Sequence, residues 1–267
     1  MQRSFHFIPA HKDNLFPKLG NLGADHYILD LEDAVPKADK PQARKNLLEL
    51  FSKPNLPKNL WLRANNVDSE YFADDLAVIE KFPEIGIVIP KVENSLFVTS
   101  IPGDRKIIIL IESLLGLERL STFVDDNRVY GVGLGLEDML AKFLISNDKL
   151  LDLSKHIRTK FISTAKIYDK VCLDGVSVNF HDTDSFKKES KESRHLGFDG
   201  RFSIHPNQVE SINESYSIDE SLIEWSEKIT KSFNDNLEVG YALHDGVLIT
   251  PPKLKKAIGV LEALKGN

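Results

Sequence analysis

Five short apolar runs in the chain each close on a charged or strongly polar residue. They are Ile28-Leu29-Asp30-Leu31-Glu32-Asp33, Leu60-Trp61-Leu62-Arg63, Ile85-Gly86-Ile87-Val88-Ile89-Pro90-Lys91, Ile107-Ile108-Ile109-Leu110-Ile111-Glu112 and Tyr130-Gly131-Val132-Gly133-Leu134-Gly135-Leu136-Glu137-Asp138. A continuous β-branched run is the signature of a strand buried on both faces. A charge at the end of such a strand is costly unless it opens onto a polar mouth with a partner. Repetition of the pattern predicts that the carboxyl ends of the strands converge on one polar site, the layout of a (β/α)8 TIM-barrel enzyme.

Strand-like and helix-like stretches alternate along most of the chain, as a parallel sheet with crossover helices requires. Strands are predicted at about 3–9, 26–31, 59–64, 85–90, 106–111, 128–134, 171–178 and 199–204. The helices between them are predicted at about 11–22, from near Asp39 and Pro41, then at 69–82, 94–100, 116–124, 137–145, 153–169, 182–196 and 206–214. Residues 1–214 thus complete a barrel, and 215–267 are left over. That remainder reads as a helix (about 218–234), an extended piece (238–250) and a last helix opened by Pro251-Pro252, where proline suits the first turn. It is expected to serve as a lid or an oligomer contact.

Composition narrows the class. The net charge of −6 offers no basic field for nucleic acid. Apolar runs of about six or seven residues fall far short of the roughly 20 that span a bilayer. The N-terminus reads without a signal-peptide core. Cys172, the single cysteine, excludes an intrachain disulfide and fits a reducing cytoplasm; it lies in an apolar run that predicts packing.

The strand-end charges supply the candidate chemistry. Glu112 and Asp138 would lie side by side at the mouth, where two like charges demand a proton or a cation. Oxygen ligands without thiolates or clustered histidines favour Mg²⁺, with Mn²⁺ as the other choice; the alternative is that each caps a helix or pairs with Lys91 or Arg63. Arg63 has the fork to grip a substrate carboxylate, and can also pair with Asp30 or Glu32. Asp30 and Glu32 point the same way, either as catalytic groups or as supports for Arg63. Lys91 is either a Schiff-base lysine or, preferably, a charge balance. Glu137 is expected to cap the next helix. The alternating Gly131, Gly133 and Gly135 mark places where substrate or neighbouring backbone comes close. His205 either binds substrate or bonds within its own loop.

These residues, in this order, resemble the HpcH/HpaI aldolase family, which includes the citrate lyase β-subunit (CitE-like) proteins. The resemblance is carried by Phe7-Ile8-Pro9-Ala10, Ile28 to Val35, Leu62-Arg63-Ala64-Asn65, Ile89-Pro90-Lys91-Val92-Glu93, Leu110-Ile111-Glu112-Ser113, Gly135-Leu136-Glu137-Asp138 and Gly197 to Gln208. It implies a Mg²⁺-binding barrel that makes or breaks carbon–carbon bonds, with acyl-CoA thioesters as common substrates. By the same resemblance Glu112 and Asp138 hold the metal and Arg63 the 2-oxo acid carboxylate.

Two departures stand out. Relatives carry an arginine suited to a cofactor anion near the N-terminus, where this chain has Pro9-Ala10-His11-Lys12. Lys12 keeps the charge without the fork. Where relatives read Met-Ile-Asp-x-Pro near the C-terminus, with a catalytic aspartate acting across a subunit contact, this chain reads Val247-Leu248-Ile249-Thr250-Pro251. Threonine is no base at neutral pH, and Asp245 is the nearest carboxylate. The sequence therefore predicts a cytoplasmic, Mg²⁺-dependent carbon–carbon lyase joining or splitting an acyl-CoA and a 2-oxo acid, assembled as a trimer or hexamer. A CoA-independent 2-oxo acid aldolase and a non-catalytic oxo-acid-binding relative are the alternatives.

Overall fold

The structure, a computed structural model, describes residues 2–235, 243–244 and 246–265. Eight parallel strands close into a barrel: β1 (Ser4–Pro9), β2 (His26–Asp30), β3 (Leu60–Arg63), β4 (Gly86–Ile89), β5 (Ile107–Ile111), β6 (Val129–Leu134), β7 (Val171–Asp174) and β8 (Gly200–Ser203). Each strand pairs with the next, and β8 returns to β1 with His6 opposite Ser203. This is a (β/α)8 barrel.

Alternation along the strands builds two cores. Phe5, Phe7, Ile28, Trp61, Val88, Ile108, Leu110, Leu173 and Phe202 fill the barrel interior. Their strand neighbours, such as Ile8, Leu29, Leu62, Ile87 and Ile109, face the surrounding helices. Both faces of most strands are therefore apolar, as the β-branched runs require; on β8, Arg201 and Ser203 alternate with the inward Phe202.

The helices are α1 (Lys40–Phe51), α2 (Phe72–Ile79), α3 (Leu96–Ser100), α4 (Leu114–Phe123), α5 (Leu136–Leu140), α6 (Leu151–Ile167), α7 (Thr183–Leu196) and α8 (Pro206–Ser215). Their ends follow local chemistry. Ser113 Oγ accepts the Gly116 N–H at 3.1 Å to start α4, Asp182 Oδ1 accepts that of Ser185 at 2.9 Å to start α7, and Gly197 ends α7 at φ +113°.

Several predicted elements are shorter than the sequence suggests, among them the helix expected over 69–82, which spans Phe72–Ile79. The helix expected over 11–22 is a 3-10 helix at Asp13–Lys18, with Pro17 inside it removing a donor. The helix expected over 137–145 is the short α5. β7 stops at Asp174 rather than running to 178.

Residues 2–216 form one compact unit and 217–267 belong to another. The second contains α9 (Glu220–Asn234), the antiparallel pair β9 (Leu243–His244) and β10 (Val247–Leu248), and α10 (Pro251–Lys265). Its small core joins Ile229, Ile249 and Ala257, packed by Trp225, Phe233 and Leu254. Among the described residues no helix is long and apolar enough to cross a membrane. Cys172 is buried, and burial pushes its thiol pKa up, as fits a packing residue.

Candidate active site at the barrel mouth

A cavity of about 710 Å³ lies where β2, β3, β5, β7 and β8 end. Its lining includes Asp30, Asp33, Arg63, Glu112, Glu137, Asp138, Arg158, Asp174, Glu189 and Arg201, seven carboxylates against three guanidiniums.

The β2–β3 wall is organised around Arg63. Its Nε and Nη2 donate to Asp30 Oδ1 and Oδ2, both at 2.7 Å, a two-pronged pair. Its Nη1 stands 3.2 Å from Glu32 Oε2, and its plane lies 4.6 Å above the Phe7 ring. Asp30 is fully buried and also accepts the N–H groups of Glu32 and Ala34 at 2.9 and 3.1 Å. Burial opposes its ionisation, yet the charge and hydrogen bonds of Arg63 hold its pKa below the usual range. Asp30 thus positions Arg63 and, with its other two bonds, the backbone of the turn at Glu32 and Ala34. Behind it, Lys40 Nζ donates to the carbonyls of Leu31 and Glu32 at 2.6 and 3.0 Å and to Asn65 Oδ1 at 2.8 Å, pinning the turn that carries the acids.

Lys91 does not line this cavity. It pairs with Glu32 and, at 3.0 Å, with Asp33, and these bonds outweigh partial burial to raise its pKa. A Schiff-base role, which needs a neutral amine, is corrected to charge balance. Glu32 is buried, and burial, opposed by Arg63, raises its pKa. Its Oε2 is buried without a hydrogen bond.

Glu112 follows β5 directly, whereas Asp138 sits in the first turn of α5 rather than at a strand end. A short helix turn therefore carries the second acid to the lining of the same cavity. Glu137 shares that first turn but is no cap: the cap position is Gly135, without a side-chain bond. Gly135 has another use. A Cβ there would lie 2.5 Å from Cγ of Glu112, so the glycine leaves room for that side chain. Burial first, then the charges of Glu32 and Asp138, push the Glu112 pKa up to about 7 against the pull of Arg63 and Lys91.

A buried carboxylate so disfavoured in its charged form is suited to a counter-cation. Among the described residues no group of three or more His, Cys, Asp or Glu is arranged to hold a metal ion. The donor set that fits is two carboxylates completed by substrate and water oxygens, the coordination habit of Mg²⁺.

The opposite wall escaped sequence reasoning. Asp174 ends β7 fully buried, accepting from Arg158 Nη1 at 3.1 Å and the Gly175 N–H at 2.9 Å. Arg201 on β8 donates from Nε to the Gly175 carbonyl at 3.1 Å, from Nη1 to Ser190 Oγ at 3.0 Å and from Nη2 to Glu189 Oε2 at 3.0 Å. The run Val171-Cys172-Leu173-Asp174 repeats the pattern of the other five; a strand read as continuing to 178 hid its terminal charge.

Two expected substrate contacts fall elsewhere. His205 is the N-cap of α8, its ring accepting from Asn207 N while Gln208 bonds back to the His205 N–H. It stacks on Phe180 at 4.9 Å, so its loop role holds and substrate binding is not supported. Lys12 is exposed and outside the cavity lining. Thr250 precedes α10 and its carbonyl accepts the Leu254 N–H at 3.1 Å; Asp245 lies outside the described residues.

The profile of the family described as HpcH/HpaI aldolase/citrate lyase matches residues 3–206. The chain belongs to that family. Within the HpcH/HpaI family it is 29% identical to the (3S)-malyl-CoA thioesterase of Cereibacter sphaeroides, over 98% of this chain and 92% of that protein. It is 25% identical to the mitochondrial citramalyl-CoA lyase of Homo sapiens, over 96% of this chain and 83% of that one. Among solved structures, CitE from Mycobacterium tuberculosis in complex with magnesium, acetoacetate and coenzyme A superposes with a TM-score of 0.80 at 25% identity, covering 97% of both chains.

Proposed function

We propose that this HpcH/HpaI-family protein is a Mg²⁺-dependent carbon–carbon lyase that splits or forms a 3-hydroxyacyl-CoA, with a 2-oxo acid as one product or substrate. The observation that carries the reading is the lining of one cavity by Arg63, fixed in plane by Asp30, together with the acid pair Glu112 and Asp138. The relatives named for malyl-CoA and citramalyl-CoA, and a structural neighbour solved with magnesium and coenzyme A, support it.

In the cleavage direction the bond between the hydroxyl-bearing carbon and the thioester α-carbon breaks. The hydroxyl loses its proton, the bonding pair passes to the α-carbon, and that carbon takes up a proton. Arg63 grips the carboxylate beside the forming carbonyl, because Asp30 holds its guanidinium plane while Nη1 makes no hydrogen bond within the described residues. Glu112 and Asp138 would hold Mg²⁺, which supplies Lewis-acid polarisation of the carbonyl when bound. Glu32 sits against Arg63 and Lys91 and keeps the wall near charge balance. An aldol-cleavage assay on citramalyl-CoA, malyl-CoA and simple 4-hydroxy-2-oxo acids, with and without EDTA, tests the reading. Cleavage that survives both EDTA and Glu112→Gln overturns it.

A CoA-independent aldolase is the second reading, supported by the position of Lys12 outside the cavity lining and by the surplus of carboxylates there. Saturation-transfer NMR with free CoA separates the two: contact with the protein favours the thioester substrate. We also assign the chain a cytoplasmic trimer or hexamer. Half-exposed Leu243, Val247 and Leu248 in the C-terminal unit support an apolar contact with another copy. Light scattering that returned 30.1 kDa would remove the oligomer.

A further inference from the structure

We infer that Lys40 is a positioning residue for the reaction: it clamps the turn after β2 and thereby keeps Arg63 in the plane that receives the substrate carboxylate. The inference rests on the lyase reading above and concerns a side chain outside the cavity lining.

Lys40 stands where its own chemistry is unfavourable. It is the first residue of α1, at the positive end of the helix dipole, and it is buried. A cation there meets a like partial charge and gives up its water. Burial lowers its pKa against the pull of Asp75, Asp30 and Glu32. Its three donors go to the carbonyls of Leu31 and Glu32 and to Asn65 Oδ1. An apolar side chain would fill the place at lower cost if filling were its task. Local preference overridden in this way is expected where a residue serves a site.

What Lys40 holds leads to Arg63 by two routes. The Leu31 N–H donates to the Arg63 carbonyl at 2.9 Å, so the clamped residue and the backbone of Arg63 belong to one ladder. The turn itself is gripped from both sides. Its carbonyls at Leu31 and Glu32 accept from Lys40, and its N–H groups at Glu32 and Ala34 donate to Asp30. Asp30 in turn fixes Nε and Nη2 of Arg63. A turn released on its carbonyl side leaves Asp30, and the guanidinium with it, on a loose support.

The clamp is anchored from behind. Asn65 Nδ2 donates to the Leu31 carbonyl at 3.0 Å and to Asp75 Oδ2 at 2.6 Å. Asp75, fully buried on α2, accepts Arg44 Nε at 2.8 Å. Residues of α1, α2 and the chain just after β3 thus lock one ammonium against one turn, and a satisfied buried network rigidifies what it touches.

Arg105 supplies a matched control. It is also buried and donates to the carbonyls of Ile79, Phe82 and Pro102. It lies just before β5, at the end of the barrel opposite the mouth. Isothermal titration calorimetry of the full chain at saturating Mg²⁺, read beside urea midpoints, tests the inference in Lys40→Met and Arg105→Met. The probe is freshly dissolved pyruvate or oxaloacetate, whichever binds the wild type more tightly. Both midpoints should fall, because each substitution strands buried carbonyls. Affinity should fall on the order of tenfold in Lys40→Met and stay within about twofold in Arg105→Met. Should Lys40→Met fail to fold, Lys40→Gln, which keeps an amide donor, takes its place under the same criteria. Unchanged affinity in the Lys40 variant, or an equal loss in both variants, overturns the inference and leaves the lyase reading standing. A wild type that binds neither acid overturns the lyase reading and the inference with it.

Discussion

On the β2–β3 side of the cavity one guanidinium answers two carboxylates, Asp30 and Glu32. On the β7–β8 side two guanidiniums, Arg158 and Arg201, answer Asp174 and Glu189 one to one. Both walls are built at strand ends, yet they differ in what remains. Among the described residues Arg63 Nη1 and the buried Glu32 Oε2 face each other at 3.2 Å as an ion pair without a hydrogen bond. Arg201 has each of its nitrogens bonded. A buried ion pair without a hydrogen bond can open to take a ligand; a guanidinium bonded at every nitrogen, as that of Arg201 is, holds its wall in place. On the proposed function the first wall binds and the second holds its shape, and substitutions can break that contrast.

The largest effect is expected at Arg63. In Arg63→Ala the fully buried Asp30 loses its partner, and an uncompensated buried charge typically costs about 3–5 kcal/mol. Urea unfolding should register that loss, and oxo-acid binding by calorimetry should vanish. In Arg63→Lys the charge returns but not the fork, so stability should recover in part while binding stays at least tenfold weaker. A lysine variant that binds normally would mean the two-pronged geometry is irrelevant.

Glu112→Gln comes next. It removes a donor from the acid pair without changing shape, so Mg²⁺-dependent turnover should fall on the order of a hundredfold, comparable to losses on disturbing metal shells. Stability at neutral pH should hold or rise, since a buried carboxyl with a pKa near 7 gains little from ionising. Arg201→Met is the counterpart on the other wall. Leaving the Gly175 carbonyl, Ser190 and Glu189 without their donor should cost about 2 kcal/mol, read as a lower urea midpoint. Oxo-acid affinity should stay within about twofold, a factor worth less than 1 kcal/mol. A large affinity loss there would abolish the division of labour between the walls.

How much of this was legible beforehand depended on where the signal was stored. Strand runs such as Ile107–Ile111 announce themselves because both faces are buried, and Arg63 and Glu112 were readable as charges closing such runs. Asp174 closes one too, but Val176 extended the apparent run past it. Asp138 was assigned to the right cavity as a strand-end charge although the helix predicted from Glu137 already contained it; the structure starts that helix at Leu136. The division of Arg63 between Asp30 and Glu32, and the self-contained bonding of Arg201, depend on long-range distances that no local pattern encodes. His205 illustrates the opposite error: a histidine before Pro206 invites a ligand reading, but its geometry is that of a helix cap.

The smallest expected effect sharpens the comparison through pH. His6 on β1 is buried and bonds Ser203 on β8 at 2.9 Å, so it belongs to the scaffold side. Burial, with the nearby His205, lowers its pKa from 6.5 to about 4. The unfolded chain therefore takes up this proton first as pH falls, and the fold loses stability between 6.5 and 4. From pH 7.5 to 5.5 the loss should be about 1 kcal/mol for this one group. Asp30 behaves in the opposite sense: its lowered pKa stabilises the fold above its ordinary value of 3.8, and that contribution is lost only on further acidification. Mild acid should thus weaken the β1–β8 side before it touches the Arg63–Asp30 pair. Urea midpoints at pH 7.5 and 5.5 for the wild type and His6→Gln measure this directly. The variant should show the shallower decline, and parallel declines would place the acid sensitivity elsewhere in the molecule.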